Sequence, residues 1–244
     1  MKRLRLASLI GAVLAVLVLA ASTATLYAAN VEASASARRR AAFEEAQVTS
    51  VSSESITAVI DGSPVELRAG GRWLLIANGV LRKANWSEVA GLIGEGVATL
   101  AFIEGGEGST YVLLGLKQGD LFAFKPALLK LCARRWLHAR IYLSVKARIV
   151  DKGSNYLVLE RKGHRALAFI DGRWLKAGVG EVEWSQVNDE FKVGDEVRVF
   201  CHNVLLMNQG FEEAFDLVGF IWGYSGAIID LSSGTALSRL VVAG

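Results

Sequence analysis

Four short phrases occur twice in this chain, in the same order and about 100 residues apart. Gly71-Arg72-Trp73-Leu74 returns as Gly172-Arg173-Trp174-Leu175, and Trp86-Ser87-Glu88-Val89 as Trp184-Ser185-Gln186-Val187. Gly94-Glu95-Gly96-Val97 returns as Gly194-Asp195-Glu196-Val197. Tyr111-Val112-Leu113-Leu114-Gly115 returns as Phe215-Asp216-Leu217-Val218-Gly219. The offsets are 101, 98, 100 and 104, so only small insertions intervene. Solenoid units repeat every 20–50 residues or so, and this spacing instead marks a duplicated domain. Of the 244 residues, about 200 remain after an N-terminal segment, enough for two domains of about 80–100 residues. Domains that small gain from packing on each other.

Each half reads as β. Ile141, Leu143, Val145, Ala147 and Ile149 alternate with Tyr142, Ser144, Lys146 and Arg148, the period of a half-buried strand. Turns follow at short intervals: Asp61-Gly62-Ser63-Pro64, Gly70-Gly71, Asp151-Lys152-Gly153-Ser154, Asp171-Gly172. Short strands so punctuated predict small barrels or sandwiches. One stretch differs. Lys130, Arg134 and His138 fall at i, i+4 and i+8, with Leu128, Leu131, Cys132 and Trp136 on the other side. This predicts an amphipathic linker helix over 127–140.

In each half the Gly-Arg-Trp strand reads as the third of five, and a short helix at Trp-Ser-x-Val between it and the fourth resembles the OB-fold. Phe191-Lys192-Val193-Gly194-Asp195-Glu196-Val197-Arg198-Val199 and Ile56-Thr57-Ala58-Val59-Ile60-Asp61-Gly62 are similar to strand entries of such domains. The chain thus resembles tandem OB-like domains of exported, membrane-anchored microbial proteins of unknown function. The resemblance implies an all-β fold of two tandem small OB-like barrels and assigns no active site. The expected organisation is a transmembrane signal anchor over 1–29, a helical stalk over 30–47, and barrel 1 over 48–126. The linker helix over 127–140, barrel 2 over 141–223 and a C-terminal strand or tail over 224–244 complete it.

The anchor rests on an uncharged run from Leu6 to Val31 behind Lys2, Arg3 and Arg5. A span needs about 20 apolar residues, and this run suffices. The basic start predicts export of the repeats, although Arg38-Arg39-Arg40 nearly balances it. Ser22-Thr23-Ala24 offers a cleavage site, so secretion after signal cleavage stays open as the alternative.

Charge is unevenly placed. Residues 130–176 hold 12 Lys/Arg against 3 acids, and residues 177–244 hold 3 against 10. Lys130, Arg134, Arg135, Lys146 and Arg148 are therefore candidate anion-binding residues. The competing expectation is that the acidic segment from Glu181 to Asp216 neutralises them within the fold. The repeated tryptophans read as core volume, with stacking on a ligand as the alternative. Cys132 and Cys201 either pair or are two buried thiols.

His138, His164 and His202 have no His or Cys at metal-ligand spacing, so neither metal nor cofactor is expected. Ser225 in Gly223-Tyr224-Ser225-Gly226-Ala227 misses the nucleophile-elbow pattern, which also needs an α/β fold. No phosphate loop or dinucleotide fingerprint is present. The expected function is non-enzymatic: a single-pass, membrane-anchored extracytoplasmic binding or scaffolding protein. Its expected partners are the membrane and an envelope protein or a second copy, not nucleic acid. A module gripping an anionic lipid headgroup, glycan or nucleic acid through the 130–176 region is the alternative, and an envelope hydrolase a third.

Overall fold

A computed structural model describes residues 40–104, 110–221 and 225–239, with backbone only at 138–142 and 225. The expected anchor and most of the stalk lie outside these residues. Residues 41–244 form one compact unit, mostly β, containing two closed five-stranded barrels.

The first half runs β1 (Ala42–Val51), β2 (Ser55–Ile60), β3 (Ser63–Arg68), β4 (Arg72–Ala77), β5 (Val80–Asn85), α1 (Trp86–Ala90), β6 (Gly96–Glu104), β7 (Tyr111–Gln118) and β8 (Leu121–Phe124). Strands β1, β2, β3, β7 and β6 close the ring. All its pairings are antiparallel except β3 with β7. A hairpin of β4 and β5 stands outside the ring and joins it through β8. The second half runs α2 (Pro126–Cys132), β9 (Ala133–Lys152), β10 (Tyr156–Arg161), β11 (His164–Phe169), β12 (Arg173–Lys176), β13 (Gly180–Glu183), α3 (Trp184–Val187), β14 (Glu196–Met207), α4 (Gln209–Phe215), β15 (Gly219–Ile221), β16 (Ser225–Asp230) and β17 (Ala236–Ser238). Its ring is β9, β10, β11, β15 and β14, again with one parallel pairing, β11 with β15. Hairpin β12–β13 joins through β17 and β16.

Three expectations are corrected. Ala42 to Gln47 belongs to β1, not to a helical stalk, and barrel 1 begins there rather than at residue 48. The Ala- and Glu-rich composition favours helix, but Ala46 and Val48 alternate inward at 3% and 0% exposure and pair along β6. The linker helix ends at Cys132, and residues 133–140 are strand. Ala133 turns to φ −60°, ψ 111°, and β14 offers an antiparallel partner from Met207 to Asn203. Tertiary pairing overrides the helical pattern, so barrel 2 begins near residue 133 and not 141. The Gly-Arg-Trp strand, read as the third strand of each barrel, heads the extra hairpin instead.

The repeated glycines explain themselves. Gly71 and Gly172 have φ +73° and +70°, a left-handed conformation that lets each strand reverse ahead of its Arg-Trp pair. The tryptophans are core. Trp73, Trp174, Trp86 and Trp184 are 1%, 0%, 3% and 2% exposed. Trp73 donates its indole N–H to the Gly70 carbonyl, and Trp174 to that of Asp171, the same three-residue reach in both halves. Lys125 lies 5.1 Å over the Trp73 ring and Arg239 5.5 Å over Trp174. The repeat slips by one residue at its third phrase. Val97 is 59% exposed while Val197 is fully buried, and the burial pattern matches Val197 to Ala98. One residue reverses the face of a strand.

Candidate functional site between the barrels

Each barrel has its own core, and a third core joins them. Ile76, Leu81 and Phe124 from the first half pack with Tyr156, Phe211, Phe215 and Phe220 from the second. Helix α2 contributes Leu128, Leu129 and Cys132 to this layer. The aromatic rings are close: Phe124 to Phe215 is 4.9 Å edge-on, and Phe211 to Phe215 is 4.8 Å. Polar bonds lock the register. Asn155 accepts from the Leu81 N–H at 2.9 Å and donates to its carbonyl at 2.6 Å, as a strand residue would. Ser154 N–H donates to the Gly79 carbonyl at 2.7 Å. A Cβ on Gly153 would lie 2.2 Å from the Tyr156 ring and 2.3 Å from the Gly79 carbonyl oxygen, so only glycine fits there.

A cleft of about 500 Å³ opens along this junction. Ile76, Phe122, Tyr156, Leu167 and Phe215 give it an apolar lining. Strand ends and turns of both halves supply Lys117, Asp120, Asp151, Lys152, Arg165 and Asp216. Some of these charges are committed. Arg165 holds Asp216 at 2.5 Å and Glu160 at 3.2 Å. Lys152 donates to the Asn188 carbonyl at 3.0 Å and lies 3.6 Å from Asp189. Among the described residues Lys117 and Asp120 have no ion pair, and Lys117 sits 5.3 Å over the Phe122 ring. Burial raises the Tyr156 phenol above its ordinary range, and the negative charges of Asp151 and Asp120 raise it further. This arrangement can hold a polar ligand with an apolar body: aromatic walls below, charges of both signs around the mouth.

The five basic candidates do not converge on this cleft. Lys130 is exposed on α2, and Arg134 and Arg135 are exposed on the first residues of β9. Arg134 lines a second cavity, of about 590 Å³, with His164 and Glu212. Lys146 and Arg148 lie on the outward face of β9, separated from Arg134 by about 40 Å of strand contour. Much of the basic segment is neutralised within barrel 2. Lys146 pairs with Glu196, Arg173 with Glu181, and Lys176 with Glu190. Lys130, Arg134, Arg135 and Arg148 form no ion pair with another described residue.

Both cysteines are free and buried in different cores, Cys132 between the barrels and Cys201 inside barrel 2. Burial pushes each thiol up to about 11. Among the described residues no group of three or more His, Cys, Asp or Glu is arranged to hold a metal ion. No described helix is long and apolar enough to cross a membrane.

Sequence reasoning did not single out the cleft residues. Asp151-Lys152-Gly153-Ser154 reads locally as a turn, and nothing local says that this turn meets Gly79 of the other half. No family model, no curated protein and no solved structure matches the chain.

Proposed function

We propose that this protein is a membrane-tethered, extracytoplasmic binding module built from two OB-like barrels, and that its ligand sits in the cleft between them. The OB-like reading is supported by the ring order, by the single parallel pairing between third and fifth ring strands, and by a short helix before the fourth. The tether is the uncharged Leu6–Val31 run. The cleft itself carries the proposal. Its volume of about 500 Å³ falls within the roughly 300–1,000 Å³ of small-molecule sites, which favour domain junctions and apolar walls with a few placed polar groups. The reading assigns the protein no reaction: it works by holding a ligand, or by presenting one to an envelope partner.

Native mass spectrometry of the full chain, extracted from its own membrane, tests this. Wild type should carry a small-molecule adduct. The D120K/D151K variant, which reverses two of the acidic charges at the cleft mouth and leaves the third core intact, should lose it. An adduct retained by the variant, or none on wild type, contradicts the proposal.

A further inference from the structure

We infer that residues 130–136 form a docking surface for an anionic lipid bilayer. The stretch lies where α2 gives way to β9. Because the helix stops at Cys132, Trp136 does not share its buried side. It projects outward and is 60% exposed, and Leu131 is 40% exposed. Lys130, Arg134 and Arg135 neighbour them in the chain and are also exposed. These are three of the cations that the acidic segment leaves without a described ion pair. An exposed indole and leucine among uncommitted cations suit a bilayer surface. The indole sits at headgroup depth and the cations face anionic headgroups. Each cation held near such a surface strengthens partitioning about fivefold.

The preceding chain says why the occupant is a bilayer. The inference rests on the tether reading of Leu6–Val31. From Val31 to Ala41 the chain can reach at most about 35 Å. It enters the fold close to this surface. Phe43 packs 6.4 Å from Phe211 and 6.0 Å from Phe215 on α4. Asn208, the residue capping α4, donates its N–H to the Cys132 carbonyl at 2.8 Å. A tethered molecule therefore holds residues 130–136 within reach of the membrane, where even weak attraction acts at high effective concentration.

The test uses the full chain reconstituted into vesicles of phosphatidylcholine, with or without about a third phosphatidylserine, part of either lipid carrying brominated acyl chains. Bromine quenches nearby indoles. Quenching should be greater in the anionic vesicles. W136F should lose that excess, as should R134E/R135E. Salt of about 1 M should abolish it, since the screening length falls to about 3 Å. Equal quenching in both lipids, or an excess unchanged in W136F, overturns the inference. So does lipid-independent shielding of Trp136 with cross-linking to a second copy. Co-flotation after a carbonate wash is scored first. A chain that washes off has no tether, and the docking surface falls with it. A chain that stays but shows no excess keeps its tether and loses only the docking surface.

Discussion

Trp86 and Trp184 occupy equivalent places but differ in one bond. The Trp86 indole donates to the Ser52 carbonyl at 3.0 Å, while the Trp184 N–H is buried without a hydrogen-bond partner among the described residues. Replacing Trp86 with Phe removes volume and leaves the Ser52 carbonyl short of a donor. Replacing Trp184 with Phe removes volume and also an unpaired polar group. W86F should therefore be the more destabilising, by about 1–3 kcal/mol, in denaturant titrations of the two variants. Alanine at either position should cost roughly 3–5 kcal/mol.

The thiols give a pH signature. Each folded-state value, about 11, lies above the ordinary 9.0, so the unfolded chain releases its protons first. Their contribution is complete below pH 9 and is lost as pH rises toward 11. Each thiol can remove at most about 1.4 kcal/mol per pH unit in that window. The fall in stability from pH 9 to 11 should be shallower in the C132A/C201A variant. An equal slope in both proteins would show that the thiols are not buried as described. At this scale the sequence was informative, because a residue type repeated at both sites signals shared core volume. The missing indole partner had no such signal, since it depends on where Ser52 or its counterpart lies in space.

Among the elements, the helices α1 and α3 were legible because their signals are local. Asn85 accepts from the Glu88 N–H at 3.0 Å while Glu88 accepts from the Asn85 N–H at 2.8 Å. Gln186 likewise accepts from the Glu183 N–H at 2.9 Å. Such capping is written within four residues. The strands β1 and β9 were misjudged at their starts because their partners are distant: Ala42 pairs with Phe102 on β6 and Ala133 with Met207 on β14. No local propensity reports a partner that distant. The Asp151–Tyr156 connection is the element to perturb. N155A leaves the half-buried Leu81 N–H and carbonyl without their bonds and should cost about 2–3 kcal/mol. G153A forces a Cβ against the Gly79 carbonyl and Tyr156, a strain of about 1–3 kcal/mol or more. Both variants should lower the melting temperature and widen amide exchange on either side of the junction. Protection changes confined to barrel 2 would show that this turn does not join the barrels.

At the scale of the whole molecule, duplication and charge asymmetry were visible in the chain, and their consequences were not. The basic and acidic segments meet largely inside barrel 2, through pairs such as Lys146 with Glu196 and Lys176 with Glu190. Exposed pairs of this kind are worth about 0–1 kcal/mol each, so K146E should change stability little. The cleft was invisible because it exists only once the halves dock: its walls come from elements far apart in the chain, Ile76 on β4 and Phe122 on β8 against Tyr156, Leu167 and Phe215 of the second half. A shared core of Phe124, Phe211 and Phe215 joins the two barrels, so they should unfold as one cooperative structure. Differential scanning calorimetry of the full chain tests that directly. One transition should appear, with calorimetric and van't Hoff enthalpies equal, as for a single cooperative unit. Two resolved transitions, or a calorimetric enthalpy about twice the van't Hoff value, would mean that the barrels unfold independently and that the cleft between them is not a fixed site.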